Sequence, residues 1–317
     1  MTKDKATDEE PADDDKTRVT AKKTATKKRA SSKRAGIKSA SSKRASTESA
    51  STKSAATKRV VRSKQEVVVR SRKVIDDGVD RETIRQRPAE LPLMEHHWGK
   101  LLFMHWPIPA ERLRGLVPPQ LTIDTYDGEA WIGVTPFTMW DVRLSFTPPV
   151  PYLSDFHELN VRTYVLYRGV PGVWFFSLNT NSSMTVFGAR TFYFLPYFHS
   201  RIDLRQEGDT IHYNLRRADA DRPAVFNASW KIGKDLPEAA PGTLEYFLTE
   251  RYCLYSASGE SIYRARIHHP PWPLRQAKLI SHASDIAESD YLPKLKGEPL
   301  VHYAESIAVD VWPPEKA

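Results

Sequence analysis

The sequence predicts a mainly β domain with few helices, preceded by a disordered basic tail. Three observations carry this. Every Phe, Tyr and Trp lies at or after Trp98. From Leu91 onward, apolar or alternating runs of roughly five to ten residues recur between Gly, Pro, Asp and Asn, the spacing of an antiparallel barrel or sandwich. Charge divides the chain at the same place: residues 1–87 hold 25 Lys/Arg against 13 Asp/Glu, and residues 88–317 hold 22 against 26. The net charge of +8 therefore comes from the N-terminal segment.

That segment has no aromatic and few large apolar residues to offset the entropy of ordering, so residues 1–87 read as disordered. It repeats with a period of ten: ASSKRAGIKS from Ala30, ASSKRASTES from Ala40 and ASTKSAATKR from Ala50. Between Lys16 and Lys73 there are 20 basic residues against Glu48 and Glu66. Such a run neutralises phosphates without reading bases, and no interleaved aromatics stack on them. It resembles the Lys/Ala-rich tails of linker histones and bacterial histone-like proteins, which implies non-specific nucleic-acid association through residues 16–73. A solvated tail is the alternative. Asp80 is placed to cap a short helical turn after it.

The domain, residues 88–317, is read in order. HWGKLLFMHW at 97–106 is a strand, and PAERLRGLVPP at 109–119 is a short helix with Pro109 at its start and Pro118 and Pro119 ending it. Strands follow in AWIGVTPFTMW (130–140), FHELNVRTYVLY (156–167), VWFFSLNT (173–180), ARTFYFLPYFHSRI (189–202), TIHYNLRR (210–217), VFNASWKI (225–232), LEYFLTERYCLYSA (244–257) and SIYRARIH (261–268). A helix is expected from Leu274 to Ser289, and AESIAVDVW (304–312) is the last strand. The longest uncharged stretch, 169–189, is broken by Pro, Asn, Ser and Thr and cannot cross a bilayer as a helix. The N-terminus lacks a secretory apolar core and Cys253 is the only cysteine, so the expected location is the cytoplasm.

Alternation along 156–167 puts Phe156, Glu158, Asn160, Arg162 and Tyr164 on one face and His157, Leu159, Val161, Thr163 and Val165 on the other. Glu158 and Arg162 stand about 13 Å apart along a straight strand at roughly 3.3 Å per residue, so each needs a partner from elsewhere. Such a polar stripe faces either solvent or the interior of a barrel that holds a ligand.

Other chemistries are disfavoured. His96/His97 and His268/His269 each alternate faces on a strand, no Cys/His cluster has zinc spacing, and no Gly-rich phosphate loop occurs. No metal and no cofactor is expected. Cys253, in RYCLYSA, reads as core rather than nucleophile.

FHELNVRTYVLYRGVPGVWFFSLNTNSSMTVFGARTFYFLPYFHSRI, with IPAERLRGLVPPQLTIDTYDGEAWIGVTPFTM before it and HHPPWPLRQA and HYAESIAVDVWPP after it, resembles the YqjF-like family of bacterial proteins, within the acetoacetate decarboxylase-like superfamily. The resemblance covers residues 91–314, and ELNVRTYV and ARTFYFLPY are its most specific parts. It implies a β-barrel or double-sheet cone with a central pocket. Better-known members of that superfamily use a Schiff-base lysine beside a second lysine that depresses its pKa. The matching place here is LPYFHS, where Tyr197 and Phe198 stand in the lysine positions, and neither forms an imine. Lys100, if it shares a face with Trp98, Leu102 and Met104, is a transplanted alternative.

The resulting expectation is a pocket for a small organic acid or carbonyl compound, with Glu158, Arg162 and Tyr197 as catalytic candidates and Arg190, Trp174, Trp131, Phe194 and His199 as ligand-binding candidates. Acid–base lyase or hydrolase chemistry is one reading. The other is a non-catalytic ligand-binding or nucleoid-associated protein tethered to DNA by its tail. Analogy with the superfamily adds a homodimer.

Overall fold

A computed structural model of the chain describes residues 77–149 and 154–317. The predicted tail up to residue 76, with its basic run 16–73, lies outside the described residues. Residues 77–87, assigned to the tail by composition, are docked on the domain. Arg81 bonds both oxygens of Asp124 (2.8 and 3.0 Å), and Arg87 bonds Asp310 (2.9 Å) while its guanidinium stacks on Trp312. Asp80 accepts from the backbone N–H of Glu82 and Thr83, capping a single 3-10 turn at Thr83–Arg85.

The strands in chain order are β1 (Met94–Ile108), β2 (Thr122–Ile123), β3 (Ala130–Leu144), β4 (Phe156–Tyr167), β5 (Val170–Thr180), β6 (Tyr197–Glu207), β7 (Thr210–Arg217), β8 (Val225–Asp235), β9 (Cys253–Ser258), β10 (Ser261–His268), β11 (Leu274–Ser284), β12 (Leu300–Val311) and β13 (Glu315–Lys316). Among the described residues three short α-helices interrupt them, α1 (Ser183–Phe192), α2 (Leu244–Thr249) and α3 (Ile286–Ser289), and the short helix expected at 109–119 is two 3-10 turns, Ala110–Arg112 and Arg114–Leu116.

All thirteen strands join one mixed sheet that closes on itself twice, because β5 pairs with β4, β6 and β9, and β12 pairs with β1, β11 and β10. One ring runs through β6, β7, β8 and β11, the other through β9 and β10. The two share the wall β5–β4–β3–β1–β12. Alternation along this wall sends successive side chains into opposite rings. Leu159, Val161 and Val165 of β4 enter the core that also contains Tyr213, Phe226 and Trp230. Phe156 points the other way, toward Phe137, Met139 and Trp272.

Three predicted elements differ. The expected helix at 274–289 is strand β11 followed by the four-residue α3. Its exposed Gln276, Lys278 and Ile280 alternate with half-buried Ala277 and Leu279, and β8 supplies its hydrogen bonds. ARTFYFLPYFHSRI is not one strand. Its first four residues finish α1, which Ser182 caps by accepting from the Thr185 N–H (3.3 Å), and β6 begins only after Pro196. Likewise Leu244–Thr249 is helical, with Thr243 as its cap, and the strand starts at Cys253.

A bulge in β1 corrects the placement of Lys100. Lys100 adopts φ +47°, and the β1–β3 register shifts between Gly99 and Met104. Leu101 and Phe103 therefore pack in the cluster against which Trp98 lies, while Leu102 and Met104 enter the other core. Gly99 is required here, since a Cβ would stand 2.2 Å from the Glu305 carbonyl oxygen.

Candidate functional site

The ring containing β9 and β10 is not filled by side chains. It encloses a cavity of about 360 Å³, which Tyr197 of β6 and the inner face of α1 (Thr185, Gly188, Ala189, Phe192) also border. The polar stripe of β4 faces this cavity: Phe156, Glu158, Asn160 and Arg162 all line it. The rest of the wall is mainly apolar, with Phe137, Met139, Phe175, Leu178 and Leu195 among its contributors.

Glu158 is 3% exposed, and Tyr197 donates its hydroxyl to Glu158 Oε2 at 2.8 Å. Burial pushes the Glu158 carboxyl up to about 7, and the hydrogen bonds from Tyr197 and Asn160 only partly offset it. Burial, followed by the neighbouring Glu158 charge, raises the Tyr197 phenol well above its ordinary value, so Tyr197 stays a donor. Tyr213 reaches through the shared wall and donates to the Glu158 carbonyl (2.8 Å), which fixes the backbone beneath the carboxylate. No ion pair joins Glu158 to Arg162 among the described residues.

Two arginines sit at the opposite end of the stripe. Arg162 lies over the Phe103 ring and its buried Nε has no hydrogen-bond partner. Its stem fits against Gly133, the residue facing it across the strand pair, where a Cβ would stand 3.2 Å from Arg162 Cγ. Behind it, Tyr164 donates to the Leu248 carbonyl (2.8 Å), so His105 Nε2, 2.7 Å from the Tyr164 hydroxyl oxygen, is the donor of that pair. Burial holds His105 well below the ordinary imidazole value and hence neutral. Arg251 donates to Asp124 (2.7 Å) and to the Phe247 carbonyl (2.7 Å), but its Nη2 has no partner. Asp124 is shared with Arg81, which also pairs with Asp77 (2.5 Å), so these two arginines and two aspartates balance, and Arg162 adds a positive charge beside them.

Further unpartnered groups border the cavity: Trp272 Nε1, Tyr193 Oη and His96 Nε2. Trp98 Nε1 donates to His96 Nδ1 (3.3 Å), and burial lowers the His96 pKa to about 4. The neutral ring then carries its proton on Nε2, a donor without an acceptor. A buried polar group left unpaired costs about 1–3 kcal/mol.

Of the eight predicted site residues, Glu158, Arg162 and Tyr197 line the cavity, and the other five do not. Arg190, at the end of α1, donates to the Tyr197 carbonyl (2.6 Å), bracing the strand that carries Tyr197. Trp131 is buried in a separate cluster with Tyr164 and Phe247, and Trp174 packs against the larger core. Phe194 is 37% exposed and stacks on Tyr263, while His199 is exposed on β6. Alternation explains Trp174, which points away from its neighbour Phe175, whereas His199, two residues beyond Tyr197 on the same face of β6, lies past the cavity and is exposed. Sequence reasoning missed Arg251, His96, Trp98, Trp272 and His269. For the two histidines a signal existed, because His96 faces in where His97 faces out, and His269 lines the cavity while His268 does not. Cys253 borders the cavity but is fully buried, with its thiol pushed up to about 12, which suits a core residue. No lysine lines the cavity among the described residues.

Residues 95–308 match DUF2071, described as an uncharacterized conserved protein. Uncharacterized protein YqjF of Bacillus subtilis (strain 168) is 38% identical over 244 residues, covering 74% of this chain and 98% of that protein. Among solved structures, enduracididine biosynthesis enzyme MppR complexed with pyruvate superposes with a TM-score of 0.51 at 12% identity, covering 73% of this chain and 93% of that one. An acetoacetate decarboxylase-like enzyme from Sphingomonas wittichii RW1 gives 0.50 at 11% identity, covering 72% and 94%. At these identities the likeness is one of fold.

Proposed function

The chain belongs to the DUF2071 family and is YqjF-like, with the acetoacetate decarboxylase-like fold, and from that membership we propose that its cavity binds an organic acid or carbonyl compound and moves protons on it. The observation that carries this is the buried Glu158–Tyr197 pair facing a cavity that Arg162 and Arg251 also line. Arg162 and Arg251 anchor an anionic or carbonyl oxygen. Glu158, with a pKa near the working pH, is matched to general acid–base work, and Tyr197 orients it. The complex of a protein of the same fold with pyruvate supports this ligand class.

In the reaction we propose, ionised Glu158 takes a proton from the carbon next to a carbonyl, and the C–H electron pair moves onto the carbonyl oxygen beside Arg162. Neutral Glu158 then returns the proton to that carbon or delivers it to a hydroxyl leaving from the adjacent carbon, releasing water and an unsaturated carbonyl product. The test is proton NMR of pyruvate and longer 2-oxo acids in D2O. Wild-type protein should bind them and wash deuterium into the carbon beside the carbonyl, Glu158→Gln should bind without exchange, and Arg162→Gln should lose binding. Binding without exchange in the wild type overturns the catalytic half and leaves a ligand-binding protein. Binding unaffected by Arg162→Gln, or no binding at all, overturns the reading.

A second reading concerns the tail, in which residues 16–73, with 20 basic residues against two acidic ones, suit a non-specific polyanion tether. Retention of the full chain on duplex DNA that falls steeply with salt and disappears on deleting residues 1–76 would support it; equal retention of both chains at low salt would sink it. We also take the protein to be a cytoplasmic homodimer. Monomer mass by light scattering, or recovery outside the cytoplasmic fraction, would refute the respective half of that statement.

A further inference from the structure

The cavity is longer and more apolar than an acid of three or four carbons requires. Along β4 its lining runs from Phe156 to Arg162, roughly 20 Å of extended strand at about 3.3 Å per residue. The two ends differ in character. Arg162 and Arg251 stand at one end, each with an unpartnered nitrogen. At the other end Phe156 faces Met139 across the strand pair, Met94 faces Leu144, and among the described residues no charged side chain lines the cavity there. This apolar end is also the open one, since Leu144 and Phe192 are 42% and 65% exposed.

A small acid held on the arginines would leave the apolar end to water. Water there meets Met139, Phe156 and Leu178, whose side chains offer it no polar partner, so displacing it with an apolar group is favourable. The volume of about 360 Å³ falls in the range of sites that bury a ligand well above pyruvate in size.

We propose, building on the reading that the cavity binds an acid, that its ligand is an amphipathic carboxylic acid with an apolar tail of roughly eight to ten carbons, seated carboxylate-first between Arg162 and Arg251 with the tail running past Glu158 to Met139, Phe156 and the α1 entrance. The carboxylate supplies a counter-charge to Arg162, which lines the cavity and forms no ion pair among the described residues. The tail covers the apolar wall beyond Glu158.

The experiment titrates the full-length chain with butanoate, hexanoate, octanoate and decanoate below their micellar concentrations, and with 1-decanol, by calorimetry. Emission of Trp98 and Trp272, which border the cavity, supplies a second signal. The expected result is one site per chain, a Kd that falls roughly fourfold per methylene from hexanoate to decanoate, and decanol binding at least about tenfold more weakly than decanoate. Met139→Trp should erase the gain with chain length while sparing butanoate. Its fold is checked by circular dichroism, and the wild-type series decides the matter if the variant does not fold. A Kd independent of chain length, or decanol binding as tightly as decanoate, overturns this inference. If butanoate and pyruvate bind through Arg162 with no gain from the tail, this inference falls and the reading under Proposed function stands. If no acid of any length binds, both fall.

Discussion

Replacing Glu158 by Gln should change the pH dependence of stability in a way the geometry fixes in sign and size. The carboxyl is buried, and its pKa rises from the ordinary 4.5 to about 7. Between those values the folded protein keeps a proton that the unfolded chain has released, so this group favours folding most below pH 4.5 and loses that contribution as pH rises through 7. A shift of about 2.5 units at about 1.36 kcal/mol each corresponds to roughly 3 kcal/mol. Gln keeps an oxygen to accept from Tyr197 but never ionises. The difference in unfolding free energy between Glu158→Gln and wild type should therefore rise by roughly 3 kcal/mol from pH 4.5 to pH 8. Urea denaturation of the two full-length chains across this range measures it. Buried His96 and His269, each with a pKa lowered to about 4, titrate identically in both proteins and cancel in the difference. Parallel stability curves would refute the argument, because they would mean that Glu158 ionises as freely in the folded state as in the unfolded chain.

Three more outcomes follow from the same structure. Tyr197→Phe removes a hydrogen bond that lowers the Glu158 pKa, so the midpoint of that pH-dependent difference should move above 7, read from the same urea series. Gly99→Ala would drive a Cβ to 2.2 Å from the Glu305 carbonyl and should cost about 1–3 kcal/mol or more, measured as a lowered urea midpoint. Asp290 has no exposed side-chain surface and binds Arg217, Arg222 and Ser177, so Asp290→Ala strands the fully buried Arg217 and should cost about 3–5 kcal/mol in thermal or urea unfolding.

Much of the domain was legible because strands leave a period-two trace. The face Phe156–Glu158–Asn160–Arg162 was assigned correctly from alternation, since that periodicity is a property of the extended backbone itself. Alternation stayed silent on which side of the strand was inside. Solvent and a hollow ring accept the same polar stripe, and only closure of the sheet through β9 and β10 decides between them. At Lys100 alternation itself broke, because one positive φ flips every later side chain of β1. Reading β11 as a helix failed for a different reason. Its residues carry no strong intrinsic preference, and pairing with β8 selected the extended state.

The sequence by itself determined the mainly β class, the family, the charge asymmetry of the tail, the absence of lysine from the LPYFHS turn, and the shared face of Phe156, Glu158, Asn160 and Arg162. These rest on composition, short-range spacing or motif identity, which survive without coordinates. Tertiary structure alone decided that Tyr197, 39 residues from Glu158, donates to its carboxylate, and that Arg251, His96 and Trp272 line the same cavity. It also removed Arg190, Trp174, Trp131, Phe194 and His199 from the site. The physical reason is that desolvation and orphaned hydrogen bonds are properties of what surrounds a group in space, and a closed sheet assembles those surroundings from strands far apart in the chain.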